Sequence, residues 1–138
     1  MHKFGLCAIL FTAAVTVPAV AQGATDGRLY QCAVKSQAAP RLDGSLGPDE
    51  ETTAFTRIKS RFVFDTSTQL LRWADSNLGW QYKKVQDGDA NTSLIALRVY
   101  EGPATQVVNL LQIEIWRKGW PFLLIEQHIV YTGLCEKF

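Results

Sequence analysis

Four groups of residues in this 138-residue chain have the types and spacing that chemistry requires. Glu126 and His128 stand two apart in a strand-like run, so both project to one face at a spacing that suits an acid–base pair. The plain alternative is a polar outer face, and no nucleophile motif such as G-x-S-x-G accompanies the pair, so no catalytic residue is assigned. Asp87-Gly88-Asp89-Ala90-Asn91 opens like a calcium loop, but Thr92 and Arg98 occupy the positions that need glycine and a bidentate glutamate. A hairpin turn is the expectation there, with no metal and no cofactor. Trp116 and Trp120 flank Arg117-Lys118-Gly119, a cationic tip between two amphipathic rings. That turn, with Ala104 and Thr105 of the Gly102–Thr105 turn beside it, is the candidate surface for a protein partner. The plain alternative is that both rings cap a barrel end and the cations are solvated.

The fourth group is the cysteines, and their meaning depends on the N-terminus. Met1-His2-Lys3 is a short basic start, Phe4 to Val17 is an apolar run too short to span a bilayer, and Ala19-Val20-Ala21 has the small-x-small pattern of a cleavage site. Residues 1–21 are therefore expected to be a cleaved signal peptide, and residues 22–138 a single exported domain in the periplasm or outside the cell. Cleavage leaves Cys32 and Cys135 in an oxidising compartment, where an even pair predicts one disulfide. A catalytic thiol or a metal site would need partners, and the mature chain holds one histidine, His128, and no C-x-x-C.

Cleavage also removes Lys3 and no acid, so the 14 basic residues of the chain fall level with its 13 acidic ones. That balance disfavours nucleic acid and anionic membrane as partners. No later apolar run reaches the length of a transmembrane helix, because Glu114, Arg117 and Glu126 interrupt them.

The elements that must position these residues read as strands. Tyr30, Cys32 and Val34 alternate in a first strand over Arg28–Lys35, and residues 37–51, with two prolines and two glycines, read as a mobile loop. Phe62-Val63-Phe64, the polar turn from Asp65 to Thr68, and Leu70 to Trp73 form a hairpin. Trp80 and Tyr82 share a face in the next run. Ser93–Tyr100, Val107–Trp116, Trp120–Ile125 and His128–Cys135 complete the series, with turn signals about every ten residues. The expected fold is all-β, a small antiparallel barrel or sandwich of seven or eight strands. In an up-and-down barrel the first and last strands are neighbours, as a Cys32–Cys135 bridge requires.

Several stretches resemble landmarks of the bacterial periplasmic or membrane-bound inhibitors of c-type lysozyme, the MliC/PliC group. They are Tyr30-Gln31-Cys32, Phe62-Val63-Phe64-Asp65 with Gln69-Leu70-Leu71, Trp116-Arg117-Lys118-Gly119, and Ile129-Val130 before Cys135. The resemblance covers about half of the mature chain. It implies an eight-stranded antiparallel barrel with cross-linked terminal strands and a partner such as a c-type lysozyme. Lys118 holds the family's lysine-before-glycine position, from which a cation enters the lysozyme cleft and meets carboxylates. The family's S-G-x-x-Y loop is absent: its spacing falls on Ala104-Thr105-Gln106-Val107-Val108. The stretch from Trp73 to Pro103 is longer than the family's, room for an extra hairpin. The expectation is a non-enzymatic binding protein acting through its end loops, with a small apolar ligand carrier as the alternative.

Overall fold

The structure, a computed structural model, describes residues 27–48, 56–101 and 106–138. Residues 1–21, expected to be a signal peptide, the end of the 37–51 stretch, and Ala104 and Thr105 lie outside the described residues. Within them the protein is all β. The strands are β1 (Leu29–Pro40), β2 (Leu46–Gly47), β3 (Arg61–Asp65), β4 (Leu70–Trp73), β5 (Gly79–Gln81), β6 (Lys83–Gln86), β7 (Leu94–Glu101), β8 (Gln106–Ile113), β9 (Pro121–Glu126) and β10 (Ile129–Lys137). Among the described residues no helix is long and apolar enough to cross a membrane.

Every pairing is antiparallel, and the sheet runs β5-β4-β3-β1-β10-β9-β8-β7-β6, with β2 added to the far end of β1. The two outer members of that path, β5 and β6, are consecutive in the chain and meet at Tyr82 alone. One bent run therefore pairs with β4 through its first half and with β7 through its second, which all but closes a barrel of eight runs. Two bulges supply curvature: Lys35 is extra in β1 against β10, and Val85 is extra in β6 against β7. Among the described residues no extra hairpin occupies the stretch after Trp73, which forms the β4–β5 turn, the bent run and β7.

Alternation along the strands fills the interior. Tyr30, Cys32 and Val34 point inward from β1, Phe62 and Phe64 from β3, Leu71 and Trp73 from β4. Tyr82, Leu94, Ala96, Leu111, Ile113, Phe122, Leu124 and Tyr131 complete one continuous core. Its rings meet edge to face, as in Phe62 on Phe122 at 5.0 Å and Trp73 on Tyr131 at 5.6 Å. Cys32 lies directly opposite Cys135 in the β1–β10 ladder, and the two are joined across a sequence separation of 103. The predicted bridge is present, and it fastens the first long strand to the last.

Where the sequence predicts a mobile loop over 37–51, β1 instead continues to Pro40. Gln37 and Ala38 pair with Tyr131 and Val130, and Ala39 and Pro40 turn back onto β2. Proline is tolerated there because Pro40 ends the strand at the sheet margin. Asp43 closes the turn by accepting hydrogen bonds from the Ser45 N–H and hydroxyl at 2.9 and 2.7 Å, and Gly44 takes φ +83°.

Candidate functional site

Antiparallel strands place their connecting turns alternately at the two ends of the barrel, and this sorts the candidate residues. The turn joining β8 to β9 contains Trp116, Arg117, Lys118 and Trp120. Residues 102–105 join β7 to β8, and the strand ends flanking them, Glu101 and Gln106, lie a whole strand away from Glu114. The two segments expected side by side are thus attached to opposite ends of β8. The physical reason is the strand itself: eight residues at about 3.3 Å each separate one turn from the next.

Within the β8–β9 turn the four residues have different roles. Trp120 is half-buried with φ +43°, and its ring packs edge to face against Tyr30 at 5.9 Å. Its carbonyl accepts the Cys135 N–H at 2.9 Å, so Trp120 caps the barrel and anchors β10. Trp116 is 51% exposed, and its indole N–H donates to the Ser93 hydroxyl at 3.3 Å. Arg117 lies 5.7 Å from the Trp116 ring and pairs with Glu114 at 2.8 Å. Lys118 is exposed and has neither hydrogen bond nor ion pair among the described residues. Gly119 turns the chain at φ +79°, which a side chain would strain. The presented chemistry is one flat amphipathic ring, one neutralised arginine and one free ammonium.

The calcium-like run is a hydrogen-bonded turn between β6 and β7. Asp89 Oδ1 accepts the N–H groups of Asn91 and Thr92 at 2.7 and 2.9 Å, and these bonds hold its carboxyl below the usual range. Lys84 pairs with Asp87 at 2.6 Å. Gly88 is buried against Ile115 and the Leu94 backbone, which leave no room for a Cβ.

Glu126 and His128 do not form the expected face. Glu126 ends β9 on the inward alternation of Phe122 and Leu124, while Gln127 and His128 make the exposed turn to β10, with Gln127 at φ +57°. The change from strand to turn after Glu126 breaks the two-residue period on which the pairing rested.

Glu126 instead belongs to a cluster at the opposite end from Trp120. The Tyr82 hydroxyl donates to Glu126 Oε1 at 2.9 Å. Burial raises the Glu126 carboxyl above its ordinary value, against the opposing pull of Tyr82, Arg57 and Arg98. Burial and then the Glu126 charge push the Tyr82 hydroxyl far up. Arg98 lies 3.9 Å from the centre of the Trp80 ring, and Arg57 lies 4.4 Å from that of Trp73 while pairing with Asp75 at 2.6 Å. The Trp73 indole N–H is buried with no partner at bonding distance, although its dipole still favours the charged form of Glu126. Asn109 Oδ1 accepts the Gln127 N–H at 2.8 Å and ties the turn to the rim. These groups form a polar plug over an aromatic core, with the Trp73 indole N–H as its unpaired member. The signal for it was in the sequence: extending the inward alternations Leu94, Ala96 and Phe122, Leu124 by one step reaches Arg98 and Glu126.

Two open grooves lie on the outside. One, of about 560 Å³, follows β5 and β6, with Gln69, Gln81, Lys83, Leu97, Arg98 and Val99 on its walls. The other, of about 340 Å³, lies beside the β4–β5 turn.

Comparison with protein-family models, curated proteins and solved structures finds no match. The chemistry of the protein's own surface therefore carries the functional reading.

Proposed function

We propose that this protein is an exported, non-enzymatic binding barrel that engages a protein partner through the Trp116–Gly119 turn. The observation that carries the reading is the filled interior. Aromatic and aliphatic side chains from every run of the barrel meet at its centre, and the binding-competent features lie on its surface. A carrier of small apolar ligands needs the space those side chains occupy, so the packed core favours a surface-binding protein over a carrier. An exposed tryptophan beside an unpaired lysine is the composition of an interface anchor.

The resemblance noted above makes a c-type lysozyme the first partner to test, with the Lys118 ammonium directed at cleft carboxylates. The distance along β8 leaves Lys118 to make that contact without the 104–108 segment. Mature, oxidised protein is titrated into a c-type lysozyme turnover assay, with Lys118→Ala and Trp116→Ala as controls. Inhibition that falls about tenfold or more in each variant is the expected result. Undiminished lysozyme activity at high molar excess removes the inhibitor reading, and full inhibition by both variants removes the turn as its site.

A further inference from the structure

Among the described residues the barrel wall is incomplete at one place. Lys83 pairs with Leu97 and Lys84 with Ala96, but β7 continues upward through Arg98, Val99, Tyr100 and Glu101, which pair only with β8. On the other side of the gap, β5 pairs only with β4. The main-chain groups of this upper β7 segment that point away from β8 therefore meet no strand among the described residues, and the same is true of the free side of β5. Arg98 stacked on Trp80 fills the inner side of the gap without supplying strand partners. The 560 Å³ groove opens along this seam.

Open strand edges are unusual in barrels, because unpaired backbone groups invite pairing with another chain. This edge carries none of the usual protection of a proline, and its outward residue Val99 is 58% exposed. Lys83 and Arg98 both line the groove; Lys83 is exposed and has no ion pair among the described residues, Arg98 is drawn inward toward Trp80 and Glu126, and no acidic residue lines the groove among those described. The walls also offer the Leu97 and Val99 side chains and the amides of Gln69 and Gln81.

We propose that the seam between β5 and the upper half of β7 accepts an extended, acidic segment of a partner protein by β-strand addition. The main chain of the segment pairs with Arg98–Glu101. Its carboxylates share the outward face with Lys83, Leu97 and Val99, and its alternate apolar side chains turn inward over the Trp80 ring on which Arg98 stacks. Main-chain pairing supplies affinity and the cationic, aliphatic groove supplies selectivity. This surface is separate from the Trp116–Gly119 turn, and its occupation is independent of the reading given to that turn.

The probe is an acetylated, amidated heptapeptide alternating valine and glutamate, titrated into the oxidised protein and followed by NMR and amide hydrogen exchange. Binding with a Kd below about 1 mM is expected, with slowed exchange in the Arg98–Tyr100 segment. A valine–lysine peptide binds less tightly, and a version with two consecutive central prolines, which removes donors from both edges, loses binding. Lys83→Glu, an exposed substitution whose fold is checked by circular dichroism, weakens the valine–glutamate peptide by about fivefold or more. The proposal is overturned by no binding at millimolar peptide, by perturbations away from β5 and β7, or by unchanged affinity in Lys83→Glu. Equal affinity for the lysine peptide overturns the acidic preference. Equal affinity for the diproline peptide overturns strand addition in favour of a small-anion site.

Discussion

Glu126 is joined in the fold to Tyr82 rather than to His128, the residue two positions away with which its sequence spacing suggests a pair. Its carboxyl accepts the Tyr82 hydroxyl at 2.9 Å, and burial raises its proton affinity above the ordinary value of 4.5. The folded state thus binds this proton more tightly than the unfolded chain does. Its contribution to stability is full at pH below about 4.5 and declines as pH rises through the raised folded value. Glu126→Gln keeps an acceptor for Tyr82 and removes the charge. The Tm of the variant relative to wild type should therefore improve between about pH 4 and about pH 8, and a parallel pair of pH profiles would refute the assignment. Asp65 works in the opposite sense. Hydrogen bonds led by the Ser67 hydroxyl hold its carboxyl below the usual range, and that stabilisation is lost in acid.

At the scale of elements, β1 and β10 form the hinge of the construction. The Cys32–Cys135 bridge closes a loop of 103 residues between neighbouring strands. By chain-entropy reasoning a loop of that order stabilises the fold by roughly 4–5 kcal/mol. Replacing both cysteines by alanine should lower the denaturation midpoint by a corresponding amount in non-reducing buffer, measured by denaturant unfolding. Free thiols in the oxidised wild type would contradict the bridge. Gly133, in the same ladder, is set by proximity: a Cβ there would collide with the Ala33 carbonyl oxygen and stand 2.8 Å from Phe122 Cε1. Gly133→Ala should destabilise the protein by about 1–3 kcal/mol or more, because backbone rather than a flexible side chain blocks the methyl group. A thermal midpoint within a degree of wild type would refute that packing.

At the scale of the whole molecule, the described residues form a barrel whose interior is filled with side chains, and the proposed binding surfaces are a turn and a seam on its outside. Tyr30, Phe62, Phe64, Tyr82 and Phe122 occupy the space that a lipid-binding barrel keeps open. A fluorescent fatty-acid analogue should therefore show no saturable enhancement with the folded protein. Saturable binding of one equivalent would reopen the carrier reading.

Periodicity makes most of this fold legible in the sequence. The alternations Tyr30-Cys32-Val34, Phe62-Phe64 and Leu111-Ile113 name both the strands and their buried faces, since a strand with one buried face has no other way to distribute its side chains. The hairpin turn from Asp65 to Thr68 and the two cysteines were equally plain, being local chemistry and simple pairing. Other features depended on contacts distant in sequence. Pairing with β10 carried β1 through a stretch that composition marks as loop, and the turn after Glu126 separated it from His128. The same contacts joined Tyr82 to Glu126 across 44 positions and left upper β7 without a second neighbour among the described strands. Sequence by itself determined the class of fold, the buried faces and the bridge, because each follows from short periods or from the cysteine count. Tertiary structure alone decided which polar groups meet at the rim and where the wall stays open, because both depend on which strand lies beside which.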